Sequence, residues 1–235
     1  TSLADLEFET VLTKMRKSML KSVVAGEFAT VCMPFYVSMS VQCFINEYVY
    51  LESDEETTWL EKLQRECEDA FATNQDISLS KIAIISCYRA LDTLCWLREW
   101  LVENDTTLIE EIVLMQIENS ATERDLANKI KTLGDIKDGT SRLVRNQYEE
   151  NPYPRWVSIH SFGRTKNYVD ILKQFFIEDA KTEKILSDNP SILIAGCGTG
   201  QQVIDTATLF QKCEVTAIDL SLASLAYAKR KVQEY

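Results

Sequence analysis

The stretch from Ile192 to Asp219 constrains this 235-residue chain more than any other. An apolar run, Ser191 to Ala195, feeds a loop carrying Gly196, Gly198 and Gly200. A helix-length gap follows, and a second apolar run, Glu214 to Ile218, ends on Asp219. Short buried strands alternating with helices require a parallel sheet, because parallel strands need a crossover between them. This is the layout of a β-α-β nucleotide-type cofactor site. Glycines in such a loop permit positive φ and remove side chains where a ligand must touch backbone. The loop passes into a helix N-terminus, whose free amides favour electronegative groups. Asp219 stands 19 residues after Gly200 (219 − 200). At the tip of a second strand a carboxylate accepts hydrogen bonds from ribose hydroxyls of an adenosine-type cofactor.

Upstream, the spacing of Leu6, Phe8, Val11, Leu12, Met15, Met19 and Leu20 predicts a helix. A second helix is expected over about Glu27 to Tyr50. Ser53 with Glu56 reads as a capping box before a third, and Ser78 as the start of a fourth that continues through Trp96. Ser120 and Glu123 suggest a further capped helix ending near Leu133. No 34-residue repeat is evident. Gly134 and Gly139 then flank a polar turn, and Pro152 and Pro154 bar a helix interior across Tyr148 to Trp156. These signals divide the chain into an α-helical domain over 1–140, an extended proline and aromatic arm over 141–166, and an α/β part over 167–235. The last part opens with a helix expected from Asn167 to Leu186, and later helices are expected from Gln202 to Gln211 and from Leu222 onward. Leu225, Ala228 and Val232 are expected to face inward on the last one.

The net charge of −11 excludes a broadly basic nucleic-acid surface. Seven cysteines without a CxxC pair, and one histidine, disfavour structural zinc. Cys32, Cys43, Cys87 and Cys95 fall within apolar runs and read as small buried hydrophobes in a reducing cytosol. The longest apolar stretch, Ile77 to Leu101, is broken by Lys81, Arg89, Asp92, Arg98 and Glu99, which rules it out as a membrane span.

Dinucleotide binders show G-x-G-x-x-G, whereas here the third glycine comes one residue early, G-C-G-T-G, with Gln202 at the later position. Together with D-L-S-L-A-S-L-A-Y-A-K-R-K after the second strand, this resembles the class I S-adenosylmethionine-dependent methyltransferases over about residues 190–235. Q-C-F-I-N-E-Y-V-Y at Gln42–Tyr50 and N-P-Y-P-R-W at Asn151–Trp156 resemble bacterial members of that group in which a helical, tetratricopeptide-associated region precedes the methyltransferase domain. The resemblance implies a Rossmann-like domain and S-adenosyl-L-methionine as cofactor. It implies that Gly196, Cys197, Gly198, Thr199, Gly200 and Gln201 form the cofactor loop. Asp219 would hold the ribose hydroxyls and Leu220 would flank the adenine. The acidic residue usual two positions before the first glycine is replaced by Ile194. Only two strands of the family's larger sheet are present, so the chain is expected to be a fragment truncated after the second strand and its helix, and inactive alone.

Other candidates carry weaker signals. Tyr153, Arg155 and Trp156 lie just before the cofactor part and are candidates to line an acceptor site, although structural tethering of the two domains is the better account of this segment. His160 suits a general base but also a solvated position. Cys197 suits a nucleophile only if its thiol pKa is low; otherwise it is a small loop residue. The methyl acceptor is of unknown class, and a protein is one candidate. Two further readings stay open: a helical interaction module joined to a degenerate cofactor fold, and a nicotinamide-dependent oxidoreductase.

Overall fold

The computed structural model describes residues 5–134, 136–159, 189–210 and 212–235. The helix expected over Asn167 to Leu186, and His160, lie outside the described residues. The chain forms two compact units, Thr1–Thr122 and Glu123–Tyr235. The division falls earlier than the glycines at 134 and 139 suggest, because Glu123 pairs with Arg155 and Arg230 of the later segment.

The first unit is helical in its described residues: α1 (Leu6–Val24), α2 (Met33–Ile45), α3 (Asp54–Ala72), α4 (Leu79–Ile85), α5 (Leu97–Glu103) and α6 (Glu110–Val113). A π-helical turn, Leu114–Glu118, joins α6 to α7 (Asn119–Ala127), which runs across the division. The second helix is shorter than its apolar pattern suggests. Pro34 sets its first turn, and Glu47 and Tyr48 adopt positive φ just past its end. The capping box is present, with Ser53 N–H donating to Glu56 Oε2 at 2.9 Å. Ser78 caps α4, but this helix stops at Ile85 instead of continuing through Trp96. The break is supported by Gln116, which the π turn turns inward. Its Nε2 donates to the Ser86 carbonyl and to Ser40 Oγ, and its Oε1 accepts from Leu91 N–H. Backbone groups released by the break are thereby satisfied inside the core. Ser120 lies within a continuing helix rather than at a cap, because the π turn carries the chain through it.

The core of this unit gathers Leu20, Leu60, Ile82, Ile84, Leu97 and Ile109. Arg16 is buried among them. Its guanidinium donates to the carbonyls of Tyr50 and Leu51, lies 4.0 Å over the Tyr88 ring, and sits 4.0 Å from Glu56. Tyr88 OH donates to the same carboxylate at 2.8 Å. Burial alone would raise the Glu56 carboxyl, but hydrogen bonds from Ser53 and Tyr88, with the charge of Arg16, hold it below its ordinary value. Cys43 and Cys87 are buried as expected, whereas Cys32 and Cys95 are exposed, since the chain is in 3₁₀ and turn geometry at those points. No described helix is long and apolar enough to cross a membrane.

The second unit contains α8 (Gly139–Glu150), β1 (Ser191–Ala195), α9 (Gln201–Leu209), β2 (Glu214–Ile218) and α10 (Leu222–Glu234). Both strands match their sequence limits and pair in parallel, from Ser191 opposite Glu214 to Ala195 opposite Ile218. The first ten residues assigned to an extended arm, 141–150, are helical instead. Asp138 caps that helix, and the restriction imposed by Pro152 acts only from Asn151 onward. On α10 the buried side is Ser224, Tyr227, Ala228 and Lys231, and Val232 is exposed, because the helix packs around Trp156.

Replacing Arg16 by alanine leaves the buried Glu56 carboxylate without its cation and the Tyr50 and Leu51 carbonyls without a donor. We expect a loss of about 3 kcal/mol, read as a lower urea midpoint at unchanged slope. An Arg16→Ala midpoint equal to that of the parent would contradict the assignment.

Candidate cofactor site

The loop begins where β1 ends. The amides of Gly196 and Cys197 both donate to the Ile218 carbonyl, at 2.8 and 3.1 Å, so the strand tips and the loop are one hydrogen-bonded unit. Asp219 follows β2 immediately. Its Oδ2 accepts from Gly198 N–H at 2.8 Å and its Oδ1 from Ser221 N–H at 3.0 Å. The carboxylate therefore draws the middle of the loop across to the second strand tip. An ionised acceptor makes these bonds stronger than neutral ones.

The three glycines serve two purposes. At Gly196 and Gly198 φ is +71° and +51°, and an added Cβ would meet no atom of the described residues within 4 Å. Backbone geometry, with open space above it, demands glycine there. At Gly200 φ is +82° and an added Cβ would lie 2.5 Å from Ala228 Cβ. That glycine is required because α9 and α10 approach closely.

The residues before the cofactor part act on the loop from below. Trp156 is fully buried, and its indole N–H donates to the Thr199 carbonyl at 3.0 Å. Thr199 Oγ1 donates to the Pro154 carbonyl at 2.6 Å. Tyr227 OH, from α10, donates to the Trp156 carbonyl at 2.6 Å, and Lys231 Nζ to the Val157 carbonyl at 3.0 Å. Lys231 also lies 5.0 Å over the indole. The arm is thus a strap between the glycine loop and α10. Trp156 is enclosed and has no surface to offer an acceptor. Arg155 pairs with Glu123 at 3.8 Å and lies 5.8 Å over the Tyr227 ring. Tyr153 is half exposed and lines the cleft above the loop.

That cleft has a volume of about 1730 Å³. Gly196, Cys197, Gly198, Thr199 and Gln201 line it, as do Asp219 and Leu220. Every loop residue singled out in the sequence except Gly200, which faces α10, therefore borders one space. Ile194, in place of the usual acid, is buried in β1 opposite Ala217. Burial, with the nearby Asp219 charge, pushes the Cys197 thiol up to about 11. A thiol so raised is protonated at neutral pH and is no nucleophile.

Sequence reasoning missed Glu149. Its Oε2 accepts from Ala223 N–H at 2.9 Å and lies 2.7 Å from Ser221 Oγ, capping α10 from the end of α8. The only signal was the acidic pair Glu149–Glu150 near a serine helix start far along the chain, a long-range match that no local rule detects.

Residues 192–235 match the family model described as a methyltransferase domain. The matched segment holds β1 from its second residue, the glycine loop, α9, β2 and α10. Its two-stranded parallel sheet is compatible with part of a Rossmann-like methyltransferase domain. Comparison with curated proteins and with solved structures gave no match.

Three outcomes follow for the site. Gly200→Ala forces both the left-handed backbone and the Ala228 contact, and should lower stability by about 2 kcal/mol, measured by thermal unfolding. Trp156→Phe removes the donor to Thr199, and should cost about 2 kcal/mol and speed amide exchange across Thr199–Gln201. Unchanged exchange there would contradict the strap. The raised Cys197 pKa has a definite sign. Its contribution to stability is complete below the ordinary thiol pKa near 9 and is lost as pH rises toward about 11. Thiol labelling at pH 8 should therefore modify Cys32 and Cys95 well before Cys197, as peptide mass mapping would show.

Proposed function

We propose that the second unit is the cofactor-binding part of an S-adenosylmethionine-dependent methyltransferase. The observation that carries this reading is the Asp219 carboxylate, fixed at the tip of β2 and hydrogen-bonded to the Gly198 amide across the cleft floor. The match of residues 192–235 to a methyltransferase domain supports it. The open space above Gly196 and Gly198 supports it too, since a ligand can touch backbone there.

When bound, the cofactor supplies an electrophilic methyl group on a sulfonium. The chain's own residues bind and orient. Backbone at Gly196, Cys197 and Gly198 would hold the methionine and ribose portion. Thr199 and Gln201 extend that wall into the first turn of α9. Asp219 would accept from the ribose hydroxyls with the lone pairs its two amide bonds leave free, and Leu220 would lie against the adenine. Tyr153 is placed to border the acceptor side. In-line methyl transfer gains chiefly from alignment and exclusion of water, so few catalytic side chains are needed. The acceptor belongs to a class still to be identified. A protein acceptor suits a helical unit in which Met15 and Phe35, both partly exposed, share a shallow groove with Lys14 and Ser18. The seven free cysteines suit a reducing, cytosolic setting.

Calorimetric titration of the intact protein with S-adenosylhomocysteine and with NAD tests the reading. We expect binding of the sulfur ligand, reduced at least tenfold in Asp219→Ala, and none of NAD. Undiminished binding by the Asp219→Ala variant, or preference for NAD, would refute it.

A further inference from the structure

The junction of α8 with α10 brings Tyr148 to the cleft that holds the proposed nucleoside site. Ser221, the N-cap of α10, accepts from Ser224 N–H at 3.0 Å. Its Oγ lies 2.7 Å from Glu149 Oε2 and 3.0 Å from the Tyr148 carbonyl, and shares its one proton between them. Glu149 Oε2 also accepts from Ala223 N–H. A carboxylate at a helix N-terminus is favoured by both the free amides and the dipole. The last turn of α8 is thereby held against Ser221, two residues beyond Asp219.

This fixes where Tyr148 can be. Its carbonyl is within hydrogen-bond distance of Ser221, and Tyr148 is among the residues that line the same cleft as Asp219 and Leu220. Tyr148 is 40% exposed and Leu220 45%, so two large residues with apolar surface stand open to solvent in the cleft that Asp219 also lines. Val144, one turn earlier on α8, lines the cleft as well. A base joined to a ribose held by Asp219 would be separated from that carboxylate by the sugar ring alone. An exposed tyrosine there offers a flat face for stacking at low cost in conformational entropy.

We propose that Tyr148, held by the Glu149–Ser221 latch, forms the wall of the adenine pocket facing Leu220. A segment preceding the glycine-loop domain would then contribute directly to nucleoside recognition. This rests on the S-adenosyl cofactor reading above. Tyr148 is a binding residue in this account and Glu149 a positioning residue that acts through it.

The test is titration of the intact protein, and of Tyr148→Ala, Tyr148→Phe and Glu149→Gln, with S-adenosylhomocysteine and with 5′-methylthioadenosine, which lacks the amino-acid end. Loss of one base–aromatic stack weakens binding on the order of tenfold. Tyr148→Ala should lose that factor equally for both ligands, and Tyr148→Phe should stay within about twofold of the parent. Glu149→Gln should fall between them, with a far-ultraviolet circular dichroism spectrum unchanged. Parent-like affinity of Tyr148→Ala for both ligands would overturn the pocket wall and leave the cofactor reading intact. A loss confined to S-adenosylhomocysteine would place Tyr148 at the amino-acid end and overturn it too. Failure of the parent protein to bind either ligand would overturn the cofactor reading and this inference with it.

Discussion

The second unit depends on the parallel pairing of β1 with β2 and on how that pairing ends. One carbonyl, that of Ile218, accepts from the amides of both Gly196 and Cys197, so the loop cannot leave the sheet without breaking the final rungs of the ladder. Asp219 then reaches back to Gly198. Without these bonds the glycine loop would be a free turn, and neither its open backbone nor the carboxylate would have a defined place.

Everything else described in this unit supports that arrangement from one side. The strap of Pro154 and Trp156 fixes Thr199 through two bonds, one to its carbonyl and one from its hydroxyl. Tyr227 and Lys231 tie the strap to α10. Glu149 ties α8 to the start of the same helix. The other side of the loop faces the cleft, and among the described residues it has no such support. Rigid backing with an open front is the arrangement expected of a preorganised binding surface, because the entropy of ordering the loop is lost on folding rather than on binding.

The limits of sequence reading follow from the range of the interactions. Both strands were legible residue by residue, since short apolar runs between turn signals have few alternatives. The capping box at Ser53 and the cap at Ser78 were legible because both partners lie within three residues. The break after Ile85 was not, because apolar residues continue through it and the group that makes it tolerable is Gln116, on another helix. Helix α8 was hidden for the opposite reason. It has no buried residue among Gly139 to Glu150, so its pattern carried no core signal, and the prolines just beyond it looked decisive. At the site, the loop and Asp219 were legible as a motif. The role of Trp156 was ambiguous in sequence and became clear only through its bond to Thr199 across 43 residues.

The central claim is that the loop and Asp219 form one binding surface for an S-adenosyl ligand. Amide chemical-shift mapping on the ¹⁵N-labelled protein tests it most directly. Addition of S-adenosylhomocysteine should move the Gly196, Gly198, Asp219 and Leu220 resonances together, saturating at one concentration, while the core amides of the helical unit stay in place. Resonances unmoved by that ligand, or moved instead by NAD, would contradict the account.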